Sequence, residues 1–198
     1  RRQRQMCIRD RYNIEGVRMK LKRLIIILVV IVAVYFSGEF VLKTYLFPFK
    51  HKEAIVKYSE EYNLDPYLVL AVIKAESKFK ADAESHKGAI GLMQITGDTA
   101  DWIAIQMGLE DYDRSKLYDE DYSIMMGCWY LDNLRTEFGV LDNYIAAYNA
   151  GRGNVNKWLN NEEYSKDGKT LDYIPFKETK KYVDRVNSYY KIYKAIYE

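Results

Sequence analysis

The chain is short of the features that staple small exported or metal-bound folds. Cysteine occurs twice in 198 residues, which cannot form a disulfide framework. Cys7 lies in a basic stretch, and Cys128 sits in the apolar "IMMGCWYL" and reads as a small core residue. The only histidines, His51 and His86, are too few and too far apart for a metal site. The acidic "EDYDRSKLYDED" at 110–121 fails as a calcium loop: the sixth position from Asp111 is Lys116, not Gly, and the twelfth is Tyr122, not Glu. It reads as a solvated loop. No cofactor and no metal is expected. Long alternating runs, internal repeats and low-complexity tracts are missing too, which leaves no sizeable sheet.

Basic charge is scarce outside one segment. Residues 1–23 hold nine Arg or Lys against Asp10 and Glu15, a balance of +7, which leaves −5 for the rest of a chain whose total is +2. A mildly acidic body argues against nucleic-acid binding, which needs a basic face. The basic stretch runs into "LIIILVVIVAVYF" (24–36) and then "SGEFVLKTYLF". No small-x-small cleavage site follows. The expectation is an uncleaved single-pass signal anchor over 24–46, with a cleaved signal peptide or a buried core helix as alternatives. Arg18, Lys20, Lys22 and Arg23 flank its N-terminal side, so residues 1–23 are expected in the cytoplasm and 47–198 on the far side of the membrane. Cys7 and Cys128 would then be separated. Met19 resembles a natural start of translation, and residues 1–18 read either as an upstream artefact or as a short tail.

What is present after residue 47 is helical periodicity. Apolar residues make up 48% of the chain, enough for a core. Helices are expected over 51–63, 65–77, 122–139, 140–151 and 178–197. Segment 88–108 reads as a loop leading into a helix, and 160–175 as a polar loop. Asp65 and Pro66 form a helix start. Val69, Val72, Ile73 and Glu76 then fall at i, i+3, i+4 and i+7, on one face. Val186, Tyr189, Tyr190, Tyr193 and Tyr197 follow helical spacing and read as core or half-buried, not as a sugar-binding surface.

Glu76 is therefore a carboxylate on an apolar stripe. Lost solvation would raise its pKa and keep it protonated near neutrality, as a general acid requires. The stripe alone equally allows a Glu at a helix end whose head reaches solvent or a cap. The segment that follows decides between them. "ESKFKADAESHKGAIGLMQI" resembles the signature of the soluble lytic transglycosylase-like family through Glu76, Ser77, Phe79, Ser85, Gly88, Ala89, Gly91, Leu92, Met93, Gln94 and Ile95. Ile124, Gly127, Tyr130 and Leu131 match a second element, Ala147 to Gly151 ("AYNAG") a third, and Glu178, Thr179, Tyr182 and Val183 a fourth. The order is that of the family, over about residues 55–190. One departure is Gly97, where the family usually carries proline.

The resemblance implies a lysozyme-like all-α domain with little or no sheet, which the transmembrane helix read from the apolar run would precede. It implies cleavage of the bond between N-acetylmuramic acid and N-acetylglucosamine in peptidoglycan without water, giving a 1,6-anhydro sugar. Glu76 would act as acid and then as base, with no second carboxylate. Ser85, Gln94, Tyr148, Glu178 and Tyr182 would line the substrate cleft. Ser77 and Asn149 would brace the backbone, Gly88 and Gly91 would serve turns and close approach, and Met93 would lie in the cleft wall. Peptidoglycan strands and the membrane are the expected partners, and a cell-envelope or secretion machine stays open. A goose-type lysozyme adding water to the same bond and a non-catalytic envelope scaffold remain as alternatives.

Overall fold

The computed structural model describes residues 2–198, with side chains from Arg18 onward except Met19. Cys7 and Met19 are thus outside the described side chains. The chain divides into two compact units at Pro48 and Phe49. The first contains one long helix, α1 (Arg2–Val41), which continues into a π-helical turn at Leu42–Leu46. Its stretch Lys20–Leu46 is long and apolar enough to cross a membrane, and none of it is buried within the protein. Leu24 to Phe36 expose most of their apolar side chains.

The second unit, Phe49–Glu198, is built of short helices. These are α2 (Lys52–Glu61), α3 (Pro66–Glu76), α4 (Gly97–Met107), α5 (Glu120–Phe138), α6 (Leu141–Ala150), α7 (Arg152–Leu159) and α8 (Lys177–Tyr197). The only sheet among the described residues is a hairpin of two short strands, β1 (Ala89–Ile90) and β2 (Ile95–Thr96), with Ala89 opposite Thr96. The expectation of an all-α domain therefore holds. The sequence reading did not separate α7, because Gly151 and Gly153 obscured a helix of only eight residues.

α3 is the centre of the unit. Its start is fixed by Asp65, whose carboxylate accepts the Tyr67 N–H at 2.8 Å, with Pro66 in the first turn. The sequence pattern showed one apolar face, but every residue from Leu68 to Ile73 is buried. α8 and α2 both pack against it, and α5 and α6 complete the layer. Burial of side chains such as Leu70 and Ile73 contributes about 1.5–3 kcal/mol each. α8 buries Val183, Val186 and Tyr193 and leaves Tyr189, Tyr190 and Tyr197 half-buried, in line with their spacing.

The acidic segment 110–121 is largely exposed, as its composition implied. Leu117 is buried within a 3-10 turn, Arg114–Tyr118. Asp119 accepts the Tyr122 N–H and caps α5, and Asp121 accepts the Tyr58 hydroxyl at 2.6 Å.

One close approach ties the core to the hairpin region. A Cβ on Gly127 of α5 would lie 2.2 Å from Met93 Sδ and 2.8 Å from Met93 Cβ. Gly127→Ala is expected to destabilise the domain by about 1–3 kcal/mol, read as a lower urea midpoint with unchanged slope.

Candidate active site

Glu76 is the last residue of α3. The chain reverses just after it. Lys78 and Phe79 have φ of 54° and 64°, two successive left-handed residues that are not glycine. Such conformations cost on the order of 1–2 kcal/mol each. Ser77 holds the turn: its buried hydroxyl donates to the Ile73 carbonyl at 3.2 Å and accepts the Phe79 N–H at 3.1 Å. The core packing of α3 thus presents Glu76 at a helix end without letting the helix continue.

The carboxyl is half-buried and meets α8. The Tyr182 hydroxyl donates to Glu76 Oε1 at 2.5 Å. Loss of solvation pushes the Glu76 pKa up to about 7, against the opposing pull of the Tyr182 hydrogen bond and the Arg185 charge. Among the described residues, no second carboxylate contributes to that shift. Burial, reinforced by the Glu76 charge, drives the Tyr148 and Tyr182 hydroxyls well above the ordinary tyrosine range. Both therefore stay protonated and act as hydrogen-bond donors. Tyr148 on α6 donates to the Met93 carbonyl at 2.8 Å, and its ring lies 5.4 Å from that of Tyr130.

The wall around these groups is a folded loop. Ser85 Oγ accepts the N–H groups of Ala89 at 3.0 Å and Lys87 at 3.3 Å, closing the turn that Gly88 completes at φ 72°. Its own proton stays available to donate. Gly91 cannot be replaced without movement, since a Cβ there would lie 2.0 Å from the Leu117 carbonyl oxygen. Gln94 adopts φ 50°, and its amide nitrogen donates to the carbonyls of Ala83 and Gly91, both at 3.0 Å. Both amide hydrogens are thus spent on the loop, which leaves the side-chain carbonyl to face a ligand.

Two cavities extend this wall. One of about 220 Å³ is lined by Gln94, Thr96, Thr99, Tyr130, Tyr148 and Gly151, among others. Its neighbour, about 460 Å³, is lined by Lys87, Phe176, Glu178 and Thr179. Asn149 and Ala150 line both, so the two are adjoining stretches of one trough. Asn149 also accepts the Thr179 hydroxyl at 2.8 Å, joining α6 to α8.

The structure brings Glu76, Tyr182 and Tyr148 together and sets Ser77, Ser85, Gly88, Gly91, Met93 and Gln94 in the loop beside them. Glu178 stands apart from Glu76. It is exposed on the first turn of α8 and faces Lys87 at 3.9 Å. Sequence reasoning missed Thr96, Thr99, Lys87 and Phe176 as lining residues. They sit between the recognisable elements, and only folding brings them to the trough. Trp102 was missed too: Arg152 stacks 4.6 Å over its ring beside Tyr130.

Residues 53–171 match the family described as the transglycosylase SLT domain. The chain is 32% identical over 153 residues to a soluble lytic murein transglycosylase of Salmonella typhimurium, covering 75% of this chain and 23% of that protein. It is 30% identical over 175 residues to a membrane-bound lytic murein transglycosylase F of Desulfosudis oleivorans, covering 73% of this chain and 36% of that one. The crystal structure of an inactive mutant of the lytic transglycosylase Slt from Pseudomonas aeruginosa superposes with a TM-score of 0.68 at 32% identity, over 78% of this chain and 25% of that one. The fold is therefore that of lytic transglycosylases. The chain spans about a quarter to a third of the length of these relatives.

The raised pKa of Glu76 is also a statement about stability. A folded-state value of about 7 against an ordinary 4.5 means that the folded protein holds the proton more tightly. The associated stability is complete below pH 4.5 and is lost as pH rises through 7, a cost of about 3 kcal/mol. Glu76→Gln removes that loss. Its melting temperature should equal the parent's at pH 4 and exceed it by several degrees at pH 8, measured by calorimetry at matched ionic strength.

Proposed function

Because the chain belongs to the transglycosylase SLT domain family, we propose that it cleaves the glycan strands of peptidoglycan between N-acetylmuramic acid and N-acetylglucosamine without adding water. The observation that carries this is a lone carboxyl, poised near neutrality and held by a tyrosine, close to Tyr148, which lines the trough. A hydrolase of the usual kind needs a second carboxylate as nucleophile or base. The names of the relatives, lytic murein transglycosylases, support murein as the substrate and transglycosylation as the reaction.

In the proposed reaction Glu76 starts protonated and gives its proton to the glycosidic oxygen as the bond to C1 breaks. The substrate's own acetamido oxygen stabilises the cationic carbon. Glu76, now a carboxylate, takes the proton from the muramyl 6-hydroxyl, whose oxygen closes on C1. The proton is thus returned and no water is consumed. One group with a pKa near the working pH serves both halves. Tyr182 fixes the carboxyl and stabilises its charged form. Tyr148, Ser85, Gln94 and Asn149 bind and align the sugar in the trough, and Glu178 acts at its far end. Met93, Gly88 and Gly91 shape the wall, and Ser77 fixes the exit from α3.

The helix Lys20–Leu46 is the proposed membrane anchor. From Arg23 to Lys43 it rises about 30 Å, the thickness of a bilayer's hydrocarbon core. Residues 1–23 are then cytoplasmic, 24–46 span, and 47–198 form the catalytic domain outside.

Mass spectrometry of purified peptidoglycan after digestion tests the reaction. Muropeptides ending in anhydromuramic acid, lighter by one water than reducing ends, are expected; reducing ends would overturn the reading in favour of a hydrolase. Glu76→Gln should lower kcat by about 10²–10⁴-fold. kcat/KM should fall tenfold per pH unit above about 7 as Glu76 loses its proton. Tyr182→Phe removes the bond that favours the carboxylate, so the alkaline limb should move upward, with kcat down roughly 10–100-fold.

A further inference from the structure

The 3-10 turn Arg114–Tyr118 takes no part in the proposed chemistry, yet it touches the loop that walls the trough at three places. Its last residue, Tyr118, donates its hydroxyl to Glu84 at 3.1 Å, where the loop begins and Glu84 bridges to Ile90. The Leu117 carbonyl fills the space beside Gly91. Its first residue, Arg114, covers Gly97: a Cβ there would lie 2.4 Å from a terminal guanidinium nitrogen and 2.6 Å from Cζ. Leu117 is fully buried and fastens the turn to the core. The turn therefore backs the wall from Glu84 to Gly97.

Arg114 reaches past Gly97 to α4. Its Nε donates to Asp101 Oδ1 at 3.0 Å and a terminal nitrogen donates to Oδ2 at 2.6 Å, a bidentate fork. The same nitrogen lies 3.3 Å from Asp98 Oδ1, and the Tyr112 hydroxyl donates to Asp101 Oδ1 at 2.8 Å. Arg114, and after it Tyr112, hold the Asp101 carboxyl below the ordinary aspartate range. The Arg114 and Asp101 side chains are 52% and 44% exposed, so salt screens the fork.

The fork crosses the junction between β2 and α4. Thr96, which ends β2, and Thr99, in the first turn of α4, line the cavity of about 220 Å³ together with Gln94 and Ile95. Their hydroxyls share a hydrogen bond of 2.9 Å. Gly97 between them is the residue with the least restrained backbone. Its φ lies outside the left-handed region, and it is the first residue of α4, a position suited to proline. Thr96, at φ −72° and ψ 150°, already has the extended conformation that a following proline needs. The three atoms nearest to a Cβ at Gly97 all belong to the guanidinium, which occupies the space a proline ring would fill.

We propose that Arg114 is a positioning residue for glycan binding. Its fork to Asp101 locks the β2–α4 junction across Gly97, in place of a fixed backbone dihedral, and keeps Thr96 and Thr99 in the shape that receives a sugar. This deepens the glycan-cleavage reading above and rests on it. An unlocked wall is competent for only part of the time, which weakens binding and leaves the chemistry at Glu76 unchanged.

The test compares the full chain with Arg114→Gln and with Arg114→Gln/Gly97→Pro, all in maltoside micelles. Cleavage is followed on a soluble oligomer of alternating N-acetylglucosamine and N-acetylmuramic acid. Amide hydrogen exchange is followed at residues 94–101, with 183–193 as internal reference. Arg114→Gln should raise KM about 3–10-fold with kcat nearly constant, and should speed exchange at 94–101 alone. Adding Gly97→Pro should return KM and exchange to the parent values. Raising the ionic strength should raise KM for the parent and not for the double variant. An unchanged KM in Arg114→Gln, a loss confined to kcat, or a raised KM that Gly97→Pro leaves in place would overturn the proposal. A parent that cleaves no glycan would overturn the proposed function and the glycan-binding role with it, while the exchange comparison still decides whether Arg114 holds the junction.

Discussion

The hydrogen bond from Tyr182 to Glu76 is the contact on which the rest of the site depends. It crosses from the end of α3 to the first turns of α8, the two helices whose packing dominates the unit. Two opposing effects meet in it. Desolvation favours the neutral acid, and the tyrosine proton favours the carboxylate. Desolvation outweighs the hydrogen bond, which leaves the group with a pKa of about 7. The opposing pull of the hydrogen bond keeps the pKa from rising further, which suits a group that must give a proton and then take one back.

That balance requires a rigid frame, and the frame contains local strain. Lys78, Phe79 and Gln94 occupy left-handed backbone conformations within or beside the site. Each would relax in an isolated loop. Here Ser77 pins the first turn, the Gln94 amide pins the second, and Gly91 lets the Leu117 carbonyl approach. Met93 links the two layers: its side chain packs on Gly127 and its carbonyl accepts the Tyr148 hydroxyl. The hydrophobic core therefore stabilises a loop geometry that local preferences oppose, and the trough inherits its shape from the core.

The all-α character and most helix positions were legible in the sequence, because periodicity and the Asp65–Pro66 start depend on residues close together in the chain. Glu76 was legible for the same reason: four residues of one stripe placed it on the buried side of α3, and the ordered motifs around it pointed to its chemistry. The apolar stretch 24–46 was legible as a candidate span from its length and composition. What local pattern could not reach was anything set by distance in the chain. Tyr182 read as a residue lining the substrate cleft, yet its hydroxyl meets Glu76 across 106 positions. Gln94 read as a residue lining the substrate cleft, yet its amide nitrogen is consumed by the loop. Glu178 belongs to a motif with Tyr182, yet one helical turn separates the residue that meets Glu76 from one exposed to solvent. The sequence by itself determined which residues are apolar, which are acids and where helices start. Only the tertiary structure decided which hydroxyl faces which carboxyl, because that follows from the packing of helices that local sequence does not encode.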